Sequence, residues 1–320
     1  GNHPQFKEIE DYLPTQKAKA LDGTNLELKE HQKSALKALE AMRDNSETIA
    51  LLYHATGTGK TTTAVLDAKR CGGRVLFIAH TQELVDQATK RFRELWVNTT
   101  VGRYCDVVKQ PRAHVVCGSV QSVALHLEDF KDDDFDYLIV DEAHHAAADT
   151  YQKVLSYFKP SFTLGLTATP ERMDGKSILS YFNNRIAAEI RLPEAIDRKL
   201  LCPFQYFGVT DTVDLDTLKW SAGGYDKGEL SKIYTLSGAM ANRRADLVVS
   251  ALLKYVTDID DVKGLGFCVS IEHAEFMCRY FNEHNIPSMF LTGHSPEEER
   301  KTAKQRLVAG EVRFIFVVDI

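Results

Sequence analysis

Two groups of residues have the types and spacing for phosphate chemistry. The first is His54-Ala55-Thr56-Gly57-Thr58-Gly59-Lys60-Thr61, set between an apolar, β-branched run (residues 48–53) and a segment of helical period (residues 60–70). Glycines let a backbone curl until its N–H groups point inward at phosphate oxygens, and the helix N-terminus that follows adds partial positive charge. In such a loop Lys60, expected to be exposed, reaches the β- and γ-phosphates of a nucleotide such as ATP. The Thr61 hydroxyl ligates Mg²⁺, and Thr56, Gly57, Thr58, Gly59 and Thr62 complete the cradle. The usual pattern, G-x-x-x-x-G-K-[ST], has glycine where this chain has His54. A chance glycine turn is the competing reading, and the strand–loop–helix setting weighs against it.

The second group is Asp141-Glu142, closing the apolar run of residues 137–141. In a parallel sheet such strand ends lie beside a phosphate loop. Asp141 then holds Mg²⁺ through water, and Glu142 orients or deprotonates an attacking water. A lone Asp-Glu pair is ordinarily a solvated loop, but the apolar strand before it reverses that expectation. Asp132-Asp133-Asp134 fits the solvated acidic turn well.

The elements that must position these groups read as an α/β chain. Strand runs at residues 48–53, 74–79, 114–117, 137–141 and 162–167 alternate with helical stretches, among them residues 82–95. The runs are continuously apolar rather than alternating, which means burial on both faces of a parallel sheet. Periodicity loosens after about Ile190, and residues 210–232 read as an irregular connector. Order resumes with a helix over 239–255, a strand over 264–269, a helix face marked by Ile271, Ala274, Cys278 and Phe281, and strands at 287–291 and 312–318. Ser295-Pro296-Glu297-Glu298 reads as a capping signature, with Ser295 at the N-cap, Pro296 at the first helical position and Glu298 reaching back. The expected organisation is an N-terminal extension or linker (1–25), a first domain (26–192), a connector (193–238) and a second domain (239–320) cut short within its sheet.

Composition agrees with two compact domains: 320 residues, 44% hydrophobic and 26% charged. The formal charge of −6 excludes a binder driven by bulk positive charge but not a local basic groove. No apolar run approaches the roughly 20 residues of a membrane span, and the opening residues, without a basic start followed by an apolar stretch, do not read as a secretory signal. None of the six cysteines falls in a C-x-x-C pair, as expected for reduced thiols of a cytoplasmic protein. The opening Gly1-Asn2-His3, without methionine, suggests an excised piece.

With Asp141-Glu142-Ala143-His144 in view, the chain resembles the superfamily-2 helicases and translocases of the DEAH-box type. The resemblance runs in order over residues 26–320. Leu28-Lys29-Glu30-His31-Gln32 is similar to the adenine-recognition segment, with Gln32 as the reader. Ala79-His80-Thr81-Gln82-Glu83-Leu84 resembles motif Ia, Gly118-Ser119-Val120-Gln121-Ser122 motif Ib, and Thr167-Ala168-Thr169-Pro170 motif III, followed by residues 171–175. Phe267-Cys268-Val269-Ser270 resembles motif IV, and Leu291-Thr292-Gly293-His294 the next motif. The texture is closest to restriction-enzyme motor subunits and related bacterial helicases.

The resemblance implies two RecA-like domains that hydrolyse ATP with Mg²⁺ between them and move on nucleic acid, DNA being favoured. It implies Lys60, Asp141 and Glu142 as catalytic residues, and His144, Thr167 and Thr169 as coupling residues. It implies nucleic-acid contacts from His80, Thr81, Gln82, Ser119, Gln121, Ser122, Ser270, Thr292 and His294. Hydroxyls and amides of this kind grip phosphates without reading bases, although a loop or cap role competes for each one. His145 reads as a bridge to motif III or, preferably, a buried, satisfied histidine, and Trp96 and Trp220 as packing residues. Some relatives carry a nuclease domain ahead of the motor, so a nuclease domain or subunit is an expected partner. Motif V would begin at Val318-Asp319-Ile320 and motif VI is absent. Since an arginine finger contributes roughly 10³–10⁵ in rate, this stretch is expected to bind ATP–Mg²⁺ and hydrolyse it poorly by itself. An ATP-gated nucleic-acid sensor that never separates strands, and a P-loop ATPase acting on protein, are the alternatives. The motif Ia, Ib and IV set argues against the latter.

Overall fold

The computed structural model describes residues 27–169, 178–210, 220–221, 224–225 and 238–318. The expected N-terminal extension, residues 170–175, most of the 210–232 connector, the Trp220 side chain and Asp319-Ile320 lie outside the described residues. The chain forms two compact units, one ending at Phe204 and the other beginning at Gln205.

The first unit is built on β1 (Ile49–His54), β2 (Val75–Ala79), β3 (Val101–Cys105), β4 (Val108–Lys109), β5 (Val115–Ser119), β6 (Tyr137–Val140), β7 (Phe162–Thr167) and β8 (Ile186–Ile190). They form one sheet in the order β4-β3-β5-β2-β6-β7-β1-β8, parallel except for the β3–β4 hairpin. The helices are α1 (Glu30–Asp44), α2 (Lys60–Cys71), α3 (Gln82–Leu95), α4 (Val120–Leu125), α5 (Asp149–Tyr157) and α6 (Leu192–Asp197). Successive strand residues feed two cores, because side chains alternate across a strand. Leu52, Phe77 and Ile139 pack with Leu39, Val65 and Phe92 on one face; Leu51, Leu76, Ile78 and Leu138 pack with Val123, Tyr151 and Val154 on the other. Strands buried on both sides must be apolar throughout, which is why these runs stand out in the sequence.

Strands β3 and β8 have no such signature. Gly102 and Arg103 interrupt β3, and β8 is a half-buried edge strand reading IAAEI. Pairing with β5 and β1, rather than local pattern, makes each a strand.

A buried ionic cluster ties helices to sheet. Asp67 on α2 is fully buried and accepts two hydrogen bonds from Arg43 on α1, at 2.6 and 2.8 Å. It accepts a third from Tyr137 Oη on β6 at 2.6 Å. Arg43 also lies over the Phe162 ring of β7, 5.1 Å from its centroid. Removing one partner leaves buried polar groups unsatisfied, which is far costlier than the pair's net contribution.

At the end of β1, His54 is fully buried, and neither ring nitrogen has a hydrogen-bond partner. Its ring meets His31 edge-on at 5.7 Å. Burial, reinforced by His31, Lys60 and Arg198, pulls its pKa from 6.5 down to about 4.

The second unit holds α7 (Gly238–Tyr255), β11 (Gly264–Phe267), α8 (Ile271–Glu283), β12 (Ser288–Leu291), α9 (Glu297–Ala309) and β13 (Phe314–Val317), after a small antiparallel pair, β9 (Trp220–Ser221) and β10 (Gly224–Tyr225). β11, β13 and β12 form a parallel sheet in that order. Gly264 and Gly266 lie against the Phe314 and Phe316 rings so closely that a Cβ would stand 2.1 and 2.3 Å from ring carbons. The expected cap of α9 is different here. Pro296, with ψ 144°, is the N-cap, and no side chain caps the helix. The Ser295 hydroxyl instead accepts the Thr292 N–H at 3.0 Å and is spent on the preceding turn. No helix among the described residues is long and apolar enough to cross a membrane.

Two outcomes follow from the buried polar groups. Asp67→Ala is expected to lower the unfolding free energy of the first unit by about 3–5 kcal/mol in urea titrations. His54 has a folded pKa below its unfolded value, so its contribution is complete above pH 6.5 and is lost as pH falls toward about 4, by up to about 3 kcal/mol. His54→Met should flatten that acid loss in unfolding midpoints measured across this range.

Candidate nucleotide site

Parallel register sets the site. Tyr53 lies opposite Thr167, Ile78 opposite Val140, and Ala79 opposite Ser119. The residues that follow, or end, these strands therefore share one edge: the phosphate loop after β1, His80 after β2, Ser119 at the end of β5, Asp141-Glu142 after β6 and Thr167 at the end of β7.

The loop leaves β1 at His54 and enters α2 at Lys60, turning through Gly57 (φ 85°) and Gly59 (φ 92°). Left-handed backbone at these points needs glycine. A Cβ on Gly59 would also stand 2.7 Å from Gln32 Nε2, so the loop passes directly against Gln32. Gln32 in turn is held by its Oε1, which accepts the Lys29 N–H at 3.1 Å. Thr58 donates to the Ala55 carbonyl at 2.7 Å, and its own carbonyl lies 2.9 Å from His31 Nε2. Thr56 and Gly57 are exposed and Thr61 is half-buried. Thr62 faces inward, its hydroxyl accepting two bonds from Arg91 at 2.8 and 2.9 Å, so it belongs to the α2–α3 contact rather than the open side of the loop.

Lys60 departs from expectation. It is buried, 8% exposed, rather than exposed in the loop, and its ammonium donates to the His54 carbonyl at 3.1 Å. The curl that aims backbone N–H groups inward folds the lysine beneath it. Burial lowers its pKa, against the opposing pull of Glu142 and Asp141. Asp141 is 6% exposed, and its pKa rises to about 6 through burial first and the Glu142 charge second. Its Oδ1 accepts the Glu142 N–H at 3.0 Å, and Lys60 pulls the other way. Glu142 takes left-handed backbone (φ 48°, ψ 53°), and its Oε2 lies 3.2 Å from His144 Nδ1. One buried cation thus faces two carboxylates at the mouth of a glycine loop.

Thr167 is fully buried; its hydroxyl donates to the Thr169 carbonyl at 2.7 Å and accepts the Thr169 N–H at 3.1 Å, forming a self-closed turn. Among the strand-end hydroxyls, cap and turn roles are the rule. Thr81, Ser119 and Ser270 are N-caps of α3, α4 and α8. Ser122 accepts the Asp106 N–H, and Thr292 accepts the His294 N–H. Gln82, exposed, donates to Asp106, and Gln121 to the His80 carbonyl. His294 is exposed. Ser270, Thr292 and His294 belong to the second unit and the others to the first. His145 is not fully buried as expected: it is half-buried, its ring tilted against those of His80 and His144. Trp96 packs against the core, edge-on to His114. Sequence reasoning missed His54 as a buried neutral ring, Arg91 behind Thr62, and Asp106; only the odd histidine in the loop hinted at the first.

Residues 25–172 match the family described as "Type III restriction enzyme, res subunit". IRC3 of Saccharomyces cerevisiae, provisionally named an ATP-dependent helicase, is 26% identical over 311 residues, covering 90% of this chain and 44% of its own. The type I restriction enzyme EcoAI endonuclease subunit of Escherichia coli is 29% identical over 306 residues, 88% of this chain and 36% of its own. This chain thus spans less than half the length of both relatives. The Pyrococcus furiosus Hef helicase domain shares the fold, with TM-score 0.55 and 15% identity over 89% of this chain and 86% of that one. The α/β architecture is therefore the RecA-like one of helicase domains, and the chain is similar, through residues 25–172, to the type III restriction enzyme res-subunit family and, over most of its length, to relatives named as an ATP-dependent helicase and a restriction-endonuclease subunit.

Proposed function

We propose that this chain is the motor core of an ATP-dependent nucleic-acid helicase or translocase, acting on DNA. The observation that carries this reading is the meeting of Lys60, Asp141 and Glu142 at the mouth of the loop. The left-handed turns at Gly57 and Gly59 curl the loop so that its N–H groups meet phosphate, and Lys60 exchanges the His54 carbonyl for β- and γ-phosphate oxygens. Gln32, held against Gly59, meets the base. The donor set suits Mg²⁺: Asp141 is a buried carboxylate under the influence of the Lys60 charge, and Thr61 is a half-buried hydroxyl at the start of α2. Held by these residues, Mg²⁺ would neutralise charge on the phosphate oxygens. Glu142 orients the attacking water and takes its proton, with His144 beside it.

Nucleic acid lies along the strand-end loops, touched through phosphates by His80, Thr81, Gln82, Ser119, Gln121 and Ser122, and in the second domain by Ser270, Thr292 and His294. The cap roles of Thr81, Ser119 and Ser270 hold these loops in place for that contact. Residues 26–192 and 239–320 act as the two domains, joined by 193–238, with Thr167 and Thr169 relaying nucleotide state. The restriction-endonuclease relative favours DNA and points to a nuclease subunit or domain as partner.

Lys60→Ala is expected to abolish binding of a fluorescent ATP analogue with Mg²⁺, with the unfolding midpoint measured alongside because the lysine is buried. Glu142→Gln should keep ATP affinity while hydrolysis falls by about 10²–10⁴-fold, the contribution typical of a general base. ATP turnover should rise on adding single-stranded or duplex DNA; no stimulation by DNA or RNA would overturn the nucleic-acid reading.

A further inference from the structure

Three imidazoles converge beside the acidic pair. His80 follows β2, while His144 and His145 lie in the single 3₁₀ turn Ala143–His145 after β6. Because β2 and β6 are paired neighbours, the two loops meet. The His145 ring stands between the others, its centroid 4.7 Å from His80 and 4.1 Å from His144. Tyr151 backs it in a stacked orientation at 6.3 Å. At one end of this line, His144 Nδ1 lies 3.2 Å from Glu142 Oε2. At the other, the His80 carbonyl accepts Gln121 Nε2 at 3.3 Å. Contacts thus run without a gap from Gln121 and His80, on the strand-end face, to the carboxylate at the mouth of the phosphate loop.

Two features make this line suited to transmitting a shift. His80 Nδ1 is buried without a partner, so the ring is held by packing rather than by its own hydrogen bond there. Glu142 sits in left-handed backbone, a conformation that a non-glycine residue keeps only while its surroundings impose it. Closely packed rings cannot be compressed, so moving one displaces the next.

We propose that His145 is a positioning residue that couples nucleic-acid binding at His80 and Gln121 to the placement of Glu142. This rests on the helicase or translocase reading above. A phosphate drawn to the His80–Gln121 end shifts the His80 ring; His145 passes the displacement to His144, which reorients the Glu142 carboxylate. The same contacts work in reverse, so nucleotide bound at the loop changes the grip on nucleic acid by the same factor.

The test is a binding cycle on the whole chain. A fluorescein-labelled oligothymidylate is titrated with and without saturating AMP-PNP and Mg²⁺, and the ratio of the two Kd values is the coupling factor. Wild type is expected to show a factor of about 5 or more, in the range usual for coupled sites. His145→Asn, which removes the ring, should bring the factor close to one while each ligand alone binds within about twofold of wild type. His145→Phe, which keeps a flat ring, should retain most of it. Coupling undiminished in His145→Asn overturns the proposal. So does loss of binding to either ligand alone, which marks a merely structural role, and so does a Phe variant as uncoupled as the Asn variant. Wild type that binds oligonucleotide with a factor of one overturns this inference alone. Wild type that binds no oligonucleotide overturns the nucleic-acid reading with it.

Discussion

The parallel pairing of β1, β2, β5, β6 and β7 is the constraint on which everything else rests. Parallel strands all end at the same edge, and the register, Tyr53 with Thr167 and Ile78 with Val140, makes them end at the same level. Segments as far apart in the chain as the glycine loop, His80, Asp141 and Thr167 are neighbours for that reason alone. The sheet holds its register because each strand is buried on both faces, one set of side chains in each core. A slip of one residue would exchange the two sets.

On that edge, burial does the electrostatic tuning. Lys60 is drawn under its own loop, losing water and gaining the His54 carbonyl. Asp141 is pushed toward neutrality by desolvation and by Glu142, while Lys60 holds it back. The three groups are thus mutually dependent. The neutral, unpartnered His54 behind them adds no competing charge to the loop, which suits a position where other loops of this kind carry glycine.

The loops around the site are held by short local bonds. Thr81, Ser119 and Ser270 cap the helices they precede, and Thr167 closes its own turn. These hydroxyls order the strand-end loops, and ordered loops present backbone and amide groups in fixed directions. A motif residue can therefore serve a site without its own side chain being free.

Much of this was legible in the sequence, for a physical reason. Strands buried on both faces must be continuously apolar, so residues 48–53, 137–141 and 162–167 announced themselves, and Gly57 and Gly59 marked a turn only glycine makes easily. The helix over residues 82–95 was equally plain, since a one-sided helix must repeat its apolar residues at its own period. Edge strands such as β8 carry no such obligation, and only pairing with β1 makes Ile186–Ile190 a strand. Burial at the site was likewise decided by tertiary structure: Lys60 beneath its loop, Thr62 turned to Arg91, Ser295 spent on Thr292, and His145 between His80 and His144. Residue type and spacing determine which groups can do chemistry. Which of them lose water, and to which partner, depends on contacts between segments distant in the chain, and these exist only once the sheet is assembled.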